Sequence, residues 1–327
     1  MGARIQIRST FFFAFLAVFV LAAAQPELTH ASNWKQLFPA ISPSVRSYCA
    51  MAYDPVSKKV VLFGGLGASG NLNDTWTFDG TNWAQVNTAV APPVRNGATM
   101  AFDRTTRKLV MFGGFDTDHY LQDTWLWDGA TSTWTQAQLT KSPPGATGVM
   151  MFTDPLSGHA MMFGGYNIFK PLFPVFNNTW QWTGTSWNKL HPSTVPYPRA
   201  WGTATLNSVR RMVVLTGGNG DTIRTDNTWT WDGTDWTLQS PATQVEAFIG
   251  AGSAFVPGAQ AVVLFGGIAE TWSWNGTTWV QLVPLNSPSA REGVGMTYDP
   301  ATHQVIIFGG LIANGPLTNE TWQLVGH

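Results

Sequence analysis

Short apolar segments alternate with turn residues along most of the chain, and this pattern returns about every fifty residues. Each period has an apolar run ending in Gly-Gly, a Thr-Trp-x-aromatic run, and a tight turn before one more Trp. The stretch from Lys108 to Trp134 shows all three in order. The doublets start 49, 51, 53, 49 and 43 residues apart, at Gly64, Gly113, Gly164, Gly217, Gly266 and Gly309. A repeat of this length indicates an array of small structural units.

Each unit contains four predicted strands. The first is rich in small residues, as from Arg95 to Asp103, and this suits an innermost strand where sheets crowd together. The second is apolar on both faces, so both faces are expected to be buried. In the third, period two places the two aromatic residues on one face. Asp-Gly or a related pair then marks a hairpin to a fourth strand with one Trp.

A sheet with two apolar faces cannot bury both alone, so the copies must stack face to face. Arranged radially, they form a β-propeller, which leaves only short, protected edges. We expect the Gly-Gly doublet to end strand two where a neighbouring Trp leaves no room for a Cβ. The six predicted blades cover about 44–86, 93–137, 145–190, 198–239, 246–282 and 290–325.

The two ends of the chain indicate how the ring closes. The sixth copy has no fourth strand after Trp322, whereas Asn33-Trp34-Lys35-Gln36-Leu37 resembles the fourth strand that begins at Asn82. We therefore predict an all-β, six-bladed propeller over residues 32–327, a single domain whose last blade is completed by residues 32–37.

The first residues have the composition of a targeting segment. Arg4 and Arg8 precede an apolar run over 11–24 that ends in small residues, so residues 1–24 are predicted to be a signal peptide, with a cut as late as residue 31 as the alternative. We expect a secreted or periplasmic monomer without a membrane span after cleavage; an uncleaved anchor is the other interpretation. Cys49 is the only cysteine, so no intramolecular disulfide forms. We expect it to be a buried small residue rather than a reactive thiol.

The charge balance excludes one class of partner. The chain has 18 Lys and Arg against 19 Asp and Glu, a net charge of −1, and removal of Arg4 and Arg8 leaves 16 against 19. A nucleic-acid-binding protein needs a basic surface. We therefore expect no nucleic-acid partner.

Gly-Gly followed by Thr-Trp and a later Trp resembles the kelch repeat, and the six copies extend the resemblance over about residues 32–325. The resemblance implies four-stranded blades in a ring. It implies no single activity, because kelch proteins include cytoskeletal and ubiquitin-ligase adaptors, sugar-handling enzymes and copper oxidases. Galactose-oxidase-like members use two Tyr, two His and a Cys-Tyr crosslink to bind copper. No such pattern can be matched here, so no metal and no cofactor are predicted.

Four arginines occupy matching places at the start of the inner strand: Arg46, Arg95, Arg199 and Arg291. Glu246 lies close to this place in the fifth copy, and Glu292 follows Arg291. Guanidinium groups around a channel mouth can hold an anionic ligand, such as a carboxylated sugar, by bidentate hydrogen bonds. The alternative is that each Arg bonds loop carbonyls or a neighbouring blade.

The loops between strands two and three vary most in length, and functional residues are often found on such loops. The longest covers 166–178 and contains Tyr166, whereas the fifth copy has only residues 268–270. This loop is interpreted either as a ligand or partner surface or as packing on the propeller itself. His119 lies on the loop at 115–123 and is a further candidate ligand contact.

We predict a binding module that uses this variable loop face around the central channel to hold a glycan, a small anionic ligand or a protein partner. A sugar-active enzyme similar to the kelch sialic-acid epimerases is the second hypothesis, with an Arg clamp and a carboxylate or His as acid and base. An adhesion or assembly component without a small ligand is the third. A non-enzymatic role is favoured, and no catalytic residue is assigned.

Overall fold

The computed structural model describes residues 32–170, 172, 174–220, 225–246 and 248–326. The predicted signal peptide lies outside this range and stays a prediction. Six antiparallel sheets are arranged as the blades of a propeller, which confirms the predicted all-β class and blade number. No helix occurs among the described residues, and therefore none is long and apolar enough to cross a membrane.

The first three blades each contain four strands in sequence order, the innermost first. Blade 1 consists of Ala50–Asp54, Lys59–Gly67, Gly70–Phe78 and Trp83–Val86, with the short strand Arg46–Ser47 beside the end of its second strand. Blade 2 consists of Thr99–Asp103, Lys108–Phe112, Thr124–Asp128 and Thr133–Gln136. Blade 3 consists of Met150–Thr153, Ala160–Phe163, Thr179–Trp182 and Trp187–Lys189.

The last three blades follow the same plan except at the outer edge of the sixth. Blade 4 consists of Thr203–Asn207, Met212–Thr216, Trp229–Trp231 and Trp236–Leu238. Blade 5 consists of Gly252–Val256, Ala261–Gly266, Glu270–Trp274 and Trp279–Leu282. Blade 6 consists of Gly295–Asp299, Gln304–Phe308, Thr321–Val325 and Asn33–Leu37, and a two-stranded ribbon of Arg291–Glu292 and Leu311–Ile312 lies beside it.

The N-terminal strand closes the ring. Asn33–Leu37 pairs antiparallel with Thr321–Val325 in the register that places Trp34 opposite Leu324 and Gln36 opposite Trp322. This pairing confirms the predicted closure, because the outermost strand of blade 6 comes from the other end of the chain.

The hydrophobic core is divided among the interfaces between blades. Six clusters of buried side chains each join two neighbouring blades, and blade 6 packs against blade 1 in the same way as the others pack. The second strands are buried on both faces, as the unbroken apolar runs predict. The blades are therefore held by side chains that no isolated blade could shelter from water.

The repeated Trp and Thr also join each blade to the one before it. In all six blades the Trp of the outer strand donates its indole N–H, over 2.8 to 3.0 Å, to the hydroxyl of the Thr that directly precedes the first Trp of strand three in the preceding blade. The six pairs are Trp34 with Thr271, Trp83 with Thr321, Trp134 with Thr75, Trp187 with Thr124, Trp236 with Thr179, and Trp279 with Thr228. The circuit satisfies six buried indole donors and passes once around the propeller.

The Gly-Gly doublets form a second circuit, for a reason different from the predicted one. The second glycine of each doublet donates its N–H to a carbonyl at the start of the next blade, as Gly65 does to Arg95 over 2.9 Å. A Cβ at Gly64 would lie 2.8 Å from the same Arg95 oxygen, and both glycines have positive φ. The expected obstruction by a neighbouring Trp is therefore wrong. A backbone carbonyl of the next blade and a left-handed backbone require glycine here.

Candidate functional site

The propeller has two unlike faces. The loops between strands two and three and the links between blades meet on one face, here called the variable face. The exposed charged residues of the links are Lys141 and Glu246. Most exposed large apolar side chains among the described residues lie on this face. They are Phe38, Ile41, Leu66, Val90, Val94, Ile168, Phe169, Leu172, Val195, Tyr197, Ile268, Val283 and Leu285.

A closed ring of backbone hydrogen bonds surrounds the axis beneath the variable face. It consists of six residues, one from each blade, which we call the collar: Tyr48, Gly97, Gly148, Trp201, Gly250 and Gly293. Each collar N–H donates to the carbonyl of the collar residue in the preceding blade over 2.7 to 3.0 Å, and Tyr48 donates to Gly293 to complete the circle. All six have φ between +52 and +66. Four are glycine, which adopts this backbone without steric cost.

The two collar residues that carry side chains cover their glycine neighbours. A Cβ at Gly148 would lie 2.8 Å from the Trp201 ring, and one at Gly293 would lie 2.9 Å from the Tyr48 ring. Rings can lie this close to the collar only because those positions lack side chains. The collar with its two aromatic rings therefore forms the floor of an axial pocket of about 490 Å³, to which all six blades contribute.

One wall of the axial pocket is a continuous arc of aromatic rings from blades 2, 3 and 4. Ring centroids are 4.9 Å apart between Phe115 and Tyr120, 5.9 Å between Tyr120 and Tyr166, and 5.2 Å between Tyr166 and Trp201. Phe115 and Tyr166 directly follow a Gly-Gly doublet, and each exchanges two backbone hydrogen bonds with the inner segment of its own blade. The glycine circuit thus determines which residue of each loop faces the axis.

The rest of the lining offers hydrogen-bonding groups and two aliphatic side chains. Tyr48 and Glu292 lie on the side of blades 1 and 6, while three smaller polar residues and the aliphatic pair complete the wall: Asn96, Thr147, Asn219, Leu66 and Ile249. The Tyr48 hydroxyl lies beside the Glu292 carboxylate, in a position to donate a hydrogen bond to it. Burial, together with the charge and hydrogen bond of Glu292, raises the pKa of Tyr48 well above its usual range. Tyr48 is therefore a neutral donor at physiological pH.

The four predicted arginines stand at the start of the inner strand in the repeat, but their side chains point into the protein. Arg46, Arg95, Arg199 and Arg291 are each at most 1% exposed. Arg46 donates to both oxygens of Asp74 at 2.6 and 2.8 Å and to the Gly64 carbonyl at 3.0 Å. The other three arginines bond the corresponding residues of their own blades. These contacts match the structural alternative for the arginines, and anion binding by them stays a prediction.

Sequence reasoning missed the partners of these arginines, although a regular spacing marks them. The acceptors Asp74, Asp123, Asn227 and Glu320 follow their arginines by 28, 28, 28 and 29 residues. Each also accepts the indole N–H of the Trp two positions later. Burial alone raises the pKa of Asp74, but hydrogen bonds from Arg46 and Trp76 outweigh it and hold that pKa below its usual value.

Blade 4 has an amide where its neighbours have a carboxylate. Arg199 therefore bonds Asn227 at 2.6 Å without a paired charge. Burial lowers the pKa of Arg199 to about 10, still far above neutral pH. Blades 3 and 5 lack the arginine altogether, as their sequences show.

The remaining predicted residues are dispersed. Tyr166 is in the aromatic arc of the axial pocket. His119 is 76% exposed on its loop and lies 3.5 Å from Asp116, with which it pairs when protonated. Glu246 is exposed on the link between blades 4 and 5. Of the seven predicted site residues, only Tyr166 lines the axial pocket, and the acidic residue that lines it is Glu292.

A second concavity of about 660 Å³ lies beside the long loop of blade 3. It is lined by Pro144, Lys170, Leu172, Val175, Phe176 and Pro198, among others. It draws on one loop and two adjoining links, whereas the axial pocket gathers all six blades. Among the described residues, no group of three His, Cys, Asp or Glu is placed to hold a metal ion.

Comparison with known proteins agrees with this geometry. Residues 27–183 match the family described as the KLHDC2/KLHL20/DRC7 kelch-repeats domain. The matched segment and the six-bladed ring together support a kelch-type propeller. Kelch propellers typically serve as protein-interaction modules, which is a property of the architecture and names no ligand.

Solved structures support the kelch propeller fold and nothing narrower. The structure titled "Structure of YjhT" aligns with 88% of this chain and 99% of its own at a TM-score of 0.68, with 16% sequence identity. In all, 748 chains of known structure match, so the fold does not by itself select an activity. No curated protein matches the sequence significantly.

Proposed function

We propose that this kelch propeller is an exported binding module that holds a glycan in the axial pocket of its variable face. The observation that carries the proposal is an aromatic arc facing hydrogen-bonding side chains above the collar. Small-molecule sites are usually concave and mostly apolar, with a few polar groups that orient the ligand. A volume of about 490 Å³ lies within the ordinary range for such sites.

A sugar matches a pocket that has aromatic rings on one side and hydrogen-bonding side chains on the other. A pyranose ring has faces of C–H groups, which pack on aromatic rings, and a rim of hydroxyl groups that donate and accept hydrogen bonds. Tyr120, Tyr166 and Trp201 supply the aromatic surface. Asn96, Asn219 and Glu292 supply polar groups on other parts of the wall. Each stacked ring contributes both buried area and a favourable contact of its own.

The lining argues against a small acid as the ligand. Among the described residues Glu292 is its only charged side chain, so an anion would approach this carboxylate without a compensating cation from them. The four arginines that were expected to clamp an anion instead donate hydrogen bonds to carbonyls and side chains of their own blades. An epimerase mechanism that depends on an Arg clamp is disfavoured for the same reason.

Titration calorimetry of the mature protein with a panel of neutral, amino and acidic sugars tests the proposal. Tyr166→Ala should weaken glycan binding about tenfold or more, because it removes the central ring of the arc. Tyr197→Ala is the matched control, since Tyr197 is 63% exposed on the same face but outside the pocket. The absence of binding to every sugar, or equal losses in the two variants, would overturn the proposal. Turnover of a bound sugar would favour the enzyme hypothesis.

Export is the second part of the proposal and rests on the N-terminal sequence. Expression with residues 1–31 present should yield a mature protein whose first residue lies between Gln25 and Ser32, as measured by intact mass. Retention of the whole segment in a membrane fraction would favour the uncleaved anchor instead.

A protein partner is a second candidate because the exposed apolar side chains are concentrated around the pocket. Phe169 and Leu172 are 64% and 82% exposed on the long loop of blade 3. Apolar surface of this kind often marks an interaction site. A partner that cross-links to the wild-type protein and is lost with Phe169→Ser plus Leu172→Ser, but not with Leu156→Ser on the opposite face, would support this role. An unchanged cross-linking pattern would argue against it.

A further inference from the structure

We propose that the ligand of the axial pocket carries an ammonium group, held between the aromatic arc and the Glu292 carboxylate. The inference rests on the proposed function, because it names the chemical class of ligand for the same pocket. The group can be the protonated amine of an amino sugar or an alkylated ammonium, since both present a positive charge of similar size.

The first argument is the charge of the lining. Glu292 is half-buried at the rim, and within the part of the chain that the structure describes no Lys, Arg or His side chain lines the pocket. Within the described part of the chain, none of the ion pairs includes Glu292. The side chain beside it is Tyr48, a neutral phenol in a position to donate a hydrogen bond to the carboxylate. The described lining thus holds one negative charge that no described cation pairs with, and a cationic ligand would neutralise it.

The second argument is the arrangement of the aromatic rings. Phe115 and Tyr120 are inclined at 49°, Tyr120 and Tyr166 at 73°, and Tyr166 and Trp201 at 41°. Rings that meet at such angles enclose a space, whereas parallel rings would form a flat stack. A cation is attracted to the negative face of an aromatic ring, and quaternary ammonium ligands are recognised by cages of such rings. The arc therefore supplies aromatic faces for a bound cation, in addition to the charge of the Glu292 carboxylate.

The third argument concerns the position of the arc relative to the carboxylate. The collar places Tyr48 of blade 1 and Trp201 of blade 4, which are three blades apart, on opposite sides of the axis. The Tyr48 ring lies over Gly293, the residue after Glu292, so the carboxylate and the phenol form one unit on their side. A ligand at the axis has this unit on one side and the aromatic arc on the other. An ammonium group satisfies both sides at once.

The decisive comparison uses pairs of ligands that differ only in charge. Choline is compared with its uncharged carbon isostere, and glucosamine with glucose and glucuronate, by calorimetry on the mature protein. We expect each cation to bind at least about tenfold more tightly than its neutral counterpart and glucuronate to bind most weakly. The preference should shrink at high salt, although less than for an exposed ion pair.

Two variants with the same charge change locate the effect. Glu292→Gln keeps an oxygen that can accept from Tyr48, and it should weaken binding of the cation about tenfold while changing the affinity for the neutral isostere by less than about twofold. Glu246→Gln removes a charge from the same face outside the pocket. It should change neither the affinity for the cation nor the affinity for the neutral isostere. Thermal unfolding of both variants verifies that they are folded.

The outcomes separate this inference from the proposed function. Neutral sugars that bind as tightly as amino sugars, or Glu292→Gln without an effect on selectivity, would overturn the ammonium inference and leave glycan binding intact. Binding of choline but of no sugar would support the inference and refute the glycan proposal. Binding of neither class would overturn both.

Discussion

Trp34 donates its indole N–H to the hydroxyl of Thr271 across 2.9 Å, although 237 residues separate the two along the chain. The bond is one of six equivalent Trp to Thr bonds. Four of the others join blades that follow one another in sequence, and the fifth, from Trp83 to Thr321, joins blade 1 to blade 6. The outer strand of blade 6 therefore uses the same contact as every other outer strand. The same Trp to Thr hydrogen bond that joins the other blades therefore also holds the N-terminal strand in blade 6, where the ring closes.

Replacement of Trp34 should consequently destabilise the whole propeller. We expect Trp34→Phe to lower the free energy of unfolding by about 1–3 kcal/mol, because a buried hydrogen bond and part of a packed ring are lost. Denaturant unfolding measures the change. Trp134→Phe, which breaks the equivalent bond to Thr75, is the matched variant and should cost a similar amount.

A double-mutant cycle isolates the hydrogen bond itself. Thr271→Val leaves the Trp34 donor unsatisfied, so the combined variant Trp34→Phe plus Thr271→Val should be more stable than the sum of the two single losses by about 1 kcal/mol. Strict additivity would show that the two residues are not coupled and that the strand is held by other contacts.

The Arg46 site predicts unequal effects of two changes at Asp74. Asp74→Ala should cost about 3–5 kcal/mol, because it leaves a buried guanidinium without its main partner. Asp74→Asn should cost much less, since blade 4 uses Arg199 with Asn227 at the corresponding place. Equal losses would mean that the arginine is held by carbonyls alone.

The stability of the wild-type protein and that of the Asp74→Asn variant should depend differently on pH in the acid range. The pKa of folded Asp74 is below its unfolded value, so its contribution to stability is present above the unfolded pKa of about 3.8 and is lost as the pH falls through the folded pKa. The stability difference between wild-type and Asp74→Asn protein should therefore narrow below about pH 4. If the difference in the free energy of unfolding stayed constant down to pH 2, the pKa of Asp74 would not be lowered in the folded protein.

The collar predicts that the cost of adding one methyl group depends on position. Gly148→Ala should destabilise the protein by about 2 kcal/mol or more, since φ is +63° and the new Cβ would meet the Trp201 ring. Gly258→Ala is the control, because a Cβ there meets no atom within 4 Å and its φ is not positive. We expect the control to be neutral or slightly stabilising in thermal unfolding.

Cys49 should be inert in the native protein. It is buried, and burial raises the pKa of its thiol to about 11. At pH 8 only about one thiol in a thousand would be ionised, and the thiolate is the nucleophile. Ellman's reagent should therefore react slowly with the folded protein and rapidly after denaturation. Fast reaction of the folded protein would instead favour a reactive thiol.

The propeller could be predicted from sequence because each element repeats its own signal. Trp34 was assigned to the sixth blade from its resemblance to Trp83 and Trp279, and both the pairing and the indole bond agree. Strand two could be predicted to be buried on both faces because its apolar run is unbroken. Six copies of the same signals made errors in any single copy unimportant.

The site was harder to predict because sequence position does not reveal the direction of a side chain. The four arginines stand at the channel mouth in the repeat, yet they turn inward because a carboxylate or amide 28 or 29 residues later completes their hydrogen bonds. Glu292 follows Arg291 and faces the axis, since neighbouring residues of an extended segment point in opposite directions. The constant spacing was visible in the sequence and could have paired the arginines in advance.

The sequence by itself determined the repeat, the four strands of each blade and the closure of the ring, since these depend on periodic patterns and on apolar faces that must be covered. Only the tertiary structure decided which residues meet at the axis. The aromatic arc and Glu292 come from separate blades and are brought together by the collar, whose circle of hydrogen bonds closes only when all six blades are in place. Contacts of this kind leave no periodic signal, because each blade contributes a different residue to a pocket that none of them contains alone.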